Sequence, residues 1–157
     1  SRGIELEAKA AVNANVNVTA SYTYTDAQYQ HDTTFNGKRP AEVPRNMASL
    51  WADYTFHETA LSGLTVGAGA RYVGSTVSYY KNDTSTGKKD DSFNVAGYAL
   101  MDATVKYDLA RFGLPGSSIG VNVNNLFDRE YVSSCYSEYA CYWGAERQVV
   151  ATATFRF

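Results

Sequence analysis

Apolar and polar residues alternate along seven separate segments of this chain, and this period of two constrains the fold more than any other feature of the sequence. The segments cover 4–12, 16–25, 48–56, 64–72, 99–109, 119–131 and 148–157. Successive side chains of a β-strand point to opposite faces of a sheet, so each segment predicts a strand with one apolar and one polar face. None of them has the period of about 3.6 residues that an amphipathic helix requires. The sequence therefore predicts an all-β, antiparallel fold.

The composition of the two faces favours a membrane barrel over a soluble sandwich. The apolar faces carry small residues in mid-segment, such as Ala8 and Ala68, and aromatic residues near the segment ends. Alanine fills a soluble core poorly, whereas lipid tails require no interdigitation and aromatic girdles mark the membrane interfaces. The polar faces carry charges in mid-segment, as a pore wall does: Glu5, Glu7, Lys9, Asp53, Arg71, Asp102 and Lys106. We therefore expect a transmembrane β-barrel.

The connections between the segments predict the orientation of the strands. Short connections at 13–15, 57–63 and 110–117 alternate with long polar ones at 31–46, 81–95 and 133–145. In outer-membrane barrels the short turns are periplasmic and the long loops extracellular. On this basis the outer girdle comprises Tyr22, Tyr24, Tyr72, Phe127 and Tyr131, and the periplasmic girdle Tyr54, Phe56, Tyr107, Phe155 and Phe157.

The number of predicted strands indicates a larger barrel. Bacterial single-chain barrels have an even number of strands, and an open sheet of seven would leave two edges that lipid cannot satisfy. We therefore expect these strands to belong to a longer protein in which Ser1 is an internal residue. The chain also lacks a basic start followed by an apolar stretch, so no signal peptide is predicted within it.

Charge, hydropathy and cysteine spacing narrow the functional class. The formal net charge of -2 provides no basic field for nucleic acid, and no apolar run is long enough for a transmembrane helix. Cys135 and Cys141 are too far apart for a CxxC redox pair and have no partners placed for zinc. A local disulfide in an oxidising compartment is the simpler interpretation, and two free thiols remain the alternative. His31 and His57 lie at opposite strand ends, so no metal site is predicted.

Several motifs resemble those of TonB-dependent outer-membrane siderophore receptors. The stretch VNVNNLFDREY at 121–131 resembles their penultimate-strand signature, and WGAERQ at 143–148 with 149–157 is similar to their last strand. Phe155 and Phe157 match the terminal signal that the barrel assembly machinery reads. SRGIE at 1–5, YTYTD at 22–26, Val43-Pro44 and ASLWADY at 48–54 fit the same family in order. The two cysteines that bracket the last loop are similar to those of the ferrichrome branch of this family.

The resemblance implies a barrel of about 22 strands whose lumen is closed by an N-terminal plug. Residues 1–157 would form its C-terminal part with the last seven strands, and the plug and earlier strands would lie outside this sequence. The implied function is uptake of ferric hydroxamate siderophores of the ferrichrome type across the bacterial outer membrane. The implied partners are the TonB complex, membrane lipid and lipopolysaccharide, the assembly machinery, and a phage or colicin. Iron would arrive inside the siderophore, with no cofactor bound directly.

The resemblance also assigns candidate ligand-binding residues. In the ferrichrome branch the aromatic residue after the first cysteine contacts the siderophore, and Tyr136 occupies that place. Phenylalanine is typical there, so the tyrosine adds a hydroxyl group to the contact. Tyr139, Tyr142 and Trp143 are weaker candidates from the same loop. The alternative interpretation is that these residues pack within the loop or at the membrane interface.

Two other functions compete with ferrichrome uptake. One is a receptor for a different siderophore, such as ferrioxamine. The other is an outer-membrane barrel enzyme, which would need an Asp/His or Ser/His cluster at the outer rim. His31 is the histidine predicted at that rim, and it has no clear serine or acid partner, so we do not expect an enzyme. The run Lys88-Lys89-Asp90-Asp91 predicts a solvated loop tip or a contact for phage or colicin.

Overall fold

The computed structural model describes residues 1–33, 35–58, 60–79 and 92–156. In chain order the strands are β1 (Arg2–Ala11), β2 (Val16–Asp26), β3 (Asn46–Thr55), β4 (Leu64–Val73), β5 (Thr76–Tyr79), β6 (Ser92–Val95), β7 (Tyr98–Asp108), β8 (Ser118–Asn124), β9 (Val132–Ser137), β10 (Ala140–Trp143) and β11 (Gln148–Thr154). A 3-10 turn at Ala110–Phe112 precedes β8. Within the described ranges, no helix has the length and the apolar composition needed to cross a membrane.

Among the described residues, seven of these strands form one antiparallel sheet in the order β1-β2-β3-β4-β7-β8-β11. Each corresponds to one of the alternating segments, so the predicted strands and their antiparallel order are confirmed. No pairing between β1 and β11 is present in the part of the chain that the structure describes, so the sheet does not close on itself there. The remaining strands form two hairpins, β5-β6 and β9-β10, beyond the sheet.

The strand register places all the predicted apolar sides on one face of the sheet, which we call the apolar face. Leu6 pairs with Tyr22, Leu50 with Ala70, and Val149 with Val123, and the intervening strands continue the same alternation. Leu6, Leu50 and Val149 are 61%, 54% and 65% exposed. The buried apolar residues in the described part of the chain are Val95, Leu100 and Cys135, and none of them lies on this face. A layered soluble fold would cover such a face, so lipid is the environment that suits it.

The opposite face carries hydrogen bonds between side chains of neighbouring strands, as expected of a pore wall. The Asn17 amide donates to Asp53 at 3.0 Å, and the hydroxyl groups of Ser21 and Ser49 lie 2.7 Å apart. The Arg71 guanidinium donates to both Asp102 oxygens, at 2.7 and 3.2 Å. Asn17 is directly opposed to Asp53 and Ser21 to Ser49, whereas Arg71 reaches diagonally to Asp102. Cross-strand pairs of both kinds stabilise a sheet. We call this side the polar face.

A tryptophan on the polar face lies over two glycines of the neighbouring strand. A Cβ added at Gly69 would lie 2.5 Å from Trp51 Cε3 and 2.6 Å from the Leu50 carbonyl oxygen. A Cβ added at Gly67 would lie 2.8 Å from Trp51 Cζ2. The indole therefore occupies the space that side chains would fill on β4, and both positions require glycine for this close approach.

Gly69→Ala should lower the free energy of unfolding of the full-length protein by about 1–2 kcal/mol, because backbone and indole must both shift. The matched control is Gly120→Ala, where the nearest atom to an added Cβ is the Val105 carbonyl oxygen at 3.3 Å. Both variants are unfolded with urea in detergent micelles, and the folded fraction is read from the heat-modifiable migration of the barrel on a gel. Equal midpoints for the two variants would show that the indole is not held by this groove.

The aromatic girdles are largely where the alternation predicts them. Tyr22, Tyr24 and Tyr72 lie on the apolar face at the end of the sheet that carries the long loops. At the short-turn end, the Tyr54 and Phe56 ring centroids are 4.7 Å apart, and Tyr107 lies 6.1 Å from Phe112. Phe127 and Phe155 are also exposed, and Phe157 lies outside the described residues.

One girdle assignment is wrong. Tyr131 does not face lipid, because its ring stacks on Tyr98 at 4.2 Å, next to Arg71 and Asp102 on the polar face. The strand predicted over 119–131 is β8, and it ends at Asn124 and does not continue to Tyr131. Asn125 and Asp128 both adopt a φ of 53°, and these left-handed residues stop the alternation and turn the chain inward.

The structure of two long loops also differs from the prediction. The connections at 81–95 and 133–145 were predicted without strands, yet the first contains β6 and the second contains most of the β9-β10 hairpin. The register of β9-β10 shifts after Ala140 and after Tyr142, so its residues do not alternate regularly. Irregular hairpins of this kind give no period-two signal. Lys88-Lys89-Asp90-Asp91 lies outside the described residues.

Candidate functional site

The predicted disulfide is confirmed and closes the β9-β10 hairpin at the long-loop end of the sheet. The sulfur atoms of Cys135 and Cys141 are bonded, and the two residues are directly opposed in the register with their Cα atoms 4.0 Å apart. Cys135 is buried at 3% exposure, and β9 adjoins β5. The disulfide thus ties β9 to β10 within the hairpin.

The hairpin carries three of the predicted aromatic residues with largely exposed side chains. Tyr136 follows the buried Cys135 on β9, and Tyr142 and Trp143 follow Cys141 on β10. Both register shifts fall within this hairpin, so alternation does not assign its side chains to sides. Tyr136, Tyr142 and Trp143 are 71%, 59% and 75% exposed. We call these three residues the aromatic face of the hairpin.

Tyr139 occupies the turn of the same hairpin and is the most exposed of the four candidates. All four side chains are exposed in the described part of the chain. Aromatic side chains offer a large contact area with few torsions to immobilise, which suits a compact ligand with an apolar and amide exterior. Binding by Tyr136, Tyr139 and Trp143 remains a prediction.

The segment NNLFDREY at 124–131 holds the base of the β9-β10 hairpin through hydrogen bonds. The buried Asn125 amide donates to the carbonyl oxygens of Arg129 and Ala145, at 2.9 and 3.2 Å, and accepts from the Arg129 N–H at 2.9 Å. The Asp128 carboxylate accepts from the Arg147 N–H at 2.7 Å. These bonds join the strands before and after the hairpin. The family-like signature at 121–131 is therefore also a structural brace for β8, β9 and β11.

Below the brace, a polar cavity of about 420 Å³ opens on the polar face. Arg71, Asp102, Glu146 and Gln148 contribute to its wall. The Asp102 carboxylate accepts hydrogen bonds from the Arg71 guanidinium and, at 2.9 Å, from the backbone N–H of Asn125. The cavity therefore combines the Arg71–Asp102 ion pair with the polar side chains of Glu146 and Gln148.

A second aromatic cluster, which the sequence did not predict, connects the loop after β2 with β5. The Phe35 ring lies 5.7 Å from Tyr29 and 5.2 Å from Tyr79, and the Lys38 ammonium lies 5.3 Å from the Tyr79 centroid. The Tyr79 hydroxyl donates to the Arg39 carbonyl oxygen at 2.6 Å. These residues are distant in sequence and share no periodicity, so no sequence signal could have grouped them.

The described residues contain no group of three or more His, Cys, Asp and Glu side chains that could hold a metal ion. The His57 imidazole contacts the Ala14 carbonyl oxygen at 3.0 Å at the short-turn end of the sheet. His31 lies at the long-loop end, where its backbone N–H donates to Asn36. The two histidines are therefore as far apart as predicted.

Comparison with known proteins decides the family. The model described as "TonB dependent receptor-like, beta-barrel" matches residues 1–126.

The chain belongs to the TonB-dependent receptor family.

The curated relatives of this TonB-dependent receptor chain match it along its whole length. It is 60% identical over 157 residues to the ferrichrome outer membrane transporter/phage receptor of Escherichia coli K12. It is 40% identical over 158 residues to the ferrioxamine B receptor of Salmonella typhimurium. Both alignments cover 100% of this chain but only 20% and 21% of the relatives. The chain thus spans about a fifth of the length of the curated relatives it matches.

Solved structures of TonB-dependent receptors share the same sheet. The ferripyoverdine receptor of Pseudomonas aeruginosa matches with a TM-score of 0.72 and 28% identity, over 94% of this chain and 18% of that one. The ferric-catecholate import receptor Fiu of Escherichia coli K12 matches with a TM-score of 0.71 and 29% identity, over 99% and 20%. The seven strands are therefore part of a transmembrane β-barrel in the outer membrane, with the apolar face toward lipid.

Proposed function

We propose that this chain forms part of an outer-membrane receptor that takes up ferric hydroxamate siderophores of the ferrichrome type, energised by TonB. The observation that carries the proposal is the 60% identity with a ferrichrome transporter along the whole chain, against 40% with a ferrioxamine B receptor. The aromatic face of the disulfide-closed hairpin supplies a surface of suitable chemistry at the outer end of the barrel. Iron is cargo in this proposal, and the chain itself binds no cofactor.

The proposal includes the parts of the protein that the chain does not contain. Residues 1–157 form the C-terminal part of the barrel, and a plug domain and earlier strands complete the receptor and contact TonB. Phe155 and Phe157 act as the signal for the barrel assembly machinery. The named relative is also a phage receptor, and the exposed hairpin is the surface we assign to a phage or colicin. We assign the protein no enzymatic activity.

Titration of the full-length receptor with ferrichrome, followed by quenching of its intrinsic fluorescence, tests the ligand. We expect saturable binding of ferrichrome and weaker binding of ferrioxamine B. The second candidate function, ferrioxamine uptake, rests on the 40% identity and predicts the reverse order. Saturable binding of neither hydroxamate would exclude both candidates.

Tyr136→Ala should weaken ferrichrome binding by about tenfold, because truncation removes a large contact surface that the ligand would desolvate. Tyr136→Phe keeps the ring and should stay within about threefold of the parent, since one exposed hydroxyl contributes little. Phe127→Ala is the matched control, because Phe127 is equally exposed at the same end of the sheet but lies outside the hairpin. Unchanged affinity in Tyr136→Ala would remove this residue from the binding surface.

A further inference from the structure

Three apolar side chains interrupt the polar face near its outer end. The register pairs Met47 with Val73 and Val73 with Tyr98, so these residues lie side by side on β3, β4 and β7. Ser49 and Arg71, two positions further inward on β3 and β4, belong to the polar face. Because side chains two positions apart on a strand share a face, all three apolar residues point to the lumen. We call Met47, Val73 and Tyr98 the apolar row.

The apolar row lies at the outer end of the lumen. Met47 is 40% exposed, and Val73 and Tyr98 are half-buried. The row is level with the outer aromatic girdle, because Tyr72 is the neighbour of Val73 on β4. Apolar surface gains free energy when a ligand displaces the water over it. An apolar patch at the entrance of a polar lumen therefore suits a ligand that arrives from outside and is itself partly apolar.

The apolar row continues to the base of the β9-β10 hairpin. The Tyr131 ring stacks on Tyr98, with the ring centroids 4.2 Å apart. A Cβ added at Gly144 would overlap the Tyr131 ring, so the ring lies directly against the backbone there. The Gly144 N–H also donates to the Tyr131 carbonyl oxygen at 2.8 Å. Because Gly144 follows Trp143 in the chain, the row and the exposed aromatic residues of the hairpin adjoin.

The polar cavity of about 420 Å³ opens directly inward of the apolar row. Arg71 and Tyr131 both line it, and Arg71 is two positions inward from Val73 on β4. The Arg71 guanidinium directs Nε and Nη2 at Asp102, so Nη1 lies outside the ion pair. The side-chain amide of Gln148 adds further donors to the wall. Apolar contact and hydrogen-bond donors for carbonyl oxygens are thus available next to each other.

We propose that the apolar row and the adjoining cavity form a second contact surface for the ferric hydroxamate complex, on the lumen wall inward of the hairpin. The apolar arms of the complex lie on Met47 and Val73, and its carbonyl oxygens accept hydrogen bonds from Arg71 and Gln148. The inference rests on the proposed function, from which it takes the class of ligand. A full-length receptor that binds neither hydroxamate refutes the proposed function. A receptor that binds ferrichrome independently of Met47 refutes only this inference.

Met47→Ala tests the apolar row in the full-length receptor, with ferrichrome binding followed by fluorescence quenching. The truncation removes apolar contact surface, so the affinity should fall about fivefold. Met101→Ala is the matched control, because Met101 is also 40% exposed but pairs with Ala70 on the apolar face. Its affinity should stay within about twofold of the parent. Heat-modifiable migration establishes that each variant is folded.

Methionine oxidation tests the same contact in the parent receptor without a substitution. The probe is the gallium(III) complex of ferrichrome, because gallium does not react with peroxide. Bound complex should slow peroxide oxidation of Met47 to the sulfoxide about fivefold and leave Met101 unchanged, as read by peptide mass spectrometry. Three results would overturn the proposal: equal affinity of the two alanine variants, oxidation of Met47 that the complex does not slow, or a Met47 already inert to peroxide before the complex is added. The last result would assign the apolar row to a contact within the receptor.

Discussion

Asn125→Ala is expected to lower the free energy of unfolding of the full-length receptor by about 3 kcal/mol, the largest effect predicted for this chain. Asn125 is 2% exposed, and its amide makes three hydrogen bonds to the backbone of Arg129 and Ala145. Truncation leaves those backbone groups without the side chain that binds them and removes three part-buried hydrogen bonds. Alanine also tolerates the φ of 53° less well than asparagine.

Two further substitutions separate these contributions. Asn125→Gly removes the hydrogen bonds but accepts the left-handed backbone, so we expect a loss about 1 kcal/mol smaller than for alanine. Asn122→Ala is the control, because Asn122 is exposed on β8 and its side chain accepts one bond, from the Thr104 hydroxyl at 2.7 Å. It should change stability by no more than about 0.5 kcal/mol. Urea unfolding in lipid vesicles measures the free energy of unfolding of each variant. An unfolding midpoint of Asn125→Ala equal to that of Asn122→Ala would show that the Asn125 hydrogen bonds do not stabilise the receptor.

Asp102→Ala is expected to cost about 2.5 kcal/mol, most of it from the Asn125 N–H, which loses its acceptor. The ion pair with Arg71 contributes less than its short distances suggest, because the Arg71 side chain is 46% exposed and can turn to water. Asp102→Asn keeps an acceptor for Asn125 and should lose less than half as much. If both variants lose the same stability, the ion pair rather than the backbone contact holds this part of the wall.

The Asp102 and Asn125 substitutions should also be coupled. Asp102 accepts the backbone N–H of the residue whose side chain braces the hairpin, so each single change loosens the contacts of the other. We expect the double variant Asp102→Ala/Asn125→Ala to lose about 1 kcal/mol less than the sum of the two single losses. Strict additivity would indicate that the polar wall and the brace are independent.

The alternation predicted the membrane-spanning sheet almost completely, because a strand between lipid and a polar lumen needs only two kinds of position. Leu50 and Arg71 illustrate this: each residue's polarity alone assigns it to the correct face. The odd strand count and the open order of the sheet agree with a larger barrel in the relatives. The sheet was predictable because its environment, rather than its tertiary packing, selects the residues.

The loops were not predictable in the same way. Tyr131 was assigned to the girdle from its spacing, but two left-handed residues redirect it onto Tyr98. The β9-β10 hairpin contains two register shifts, so alternation does not assign its residues to sides. Neither feature has a periodic signature. The resemblance selected Tyr136, but the exposure of Tyr136, Tyr142 and Trp143 on one disulfide-closed hairpin required coordinates.

The position of the hairpins has a consequence for how such receptors diverge. β5-β6 and β9-β10 form their own small sheets, and none of their described strands belongs to the backbone ladder of the seven-stranded wall. A change of sequence, length or curvature in a hairpin therefore leaves every rung of the membrane-embedded ladder intact. The hairpins can therefore change while lipid continues to select the residues of the wall beneath them, and the wall retains its shape at 28% identity.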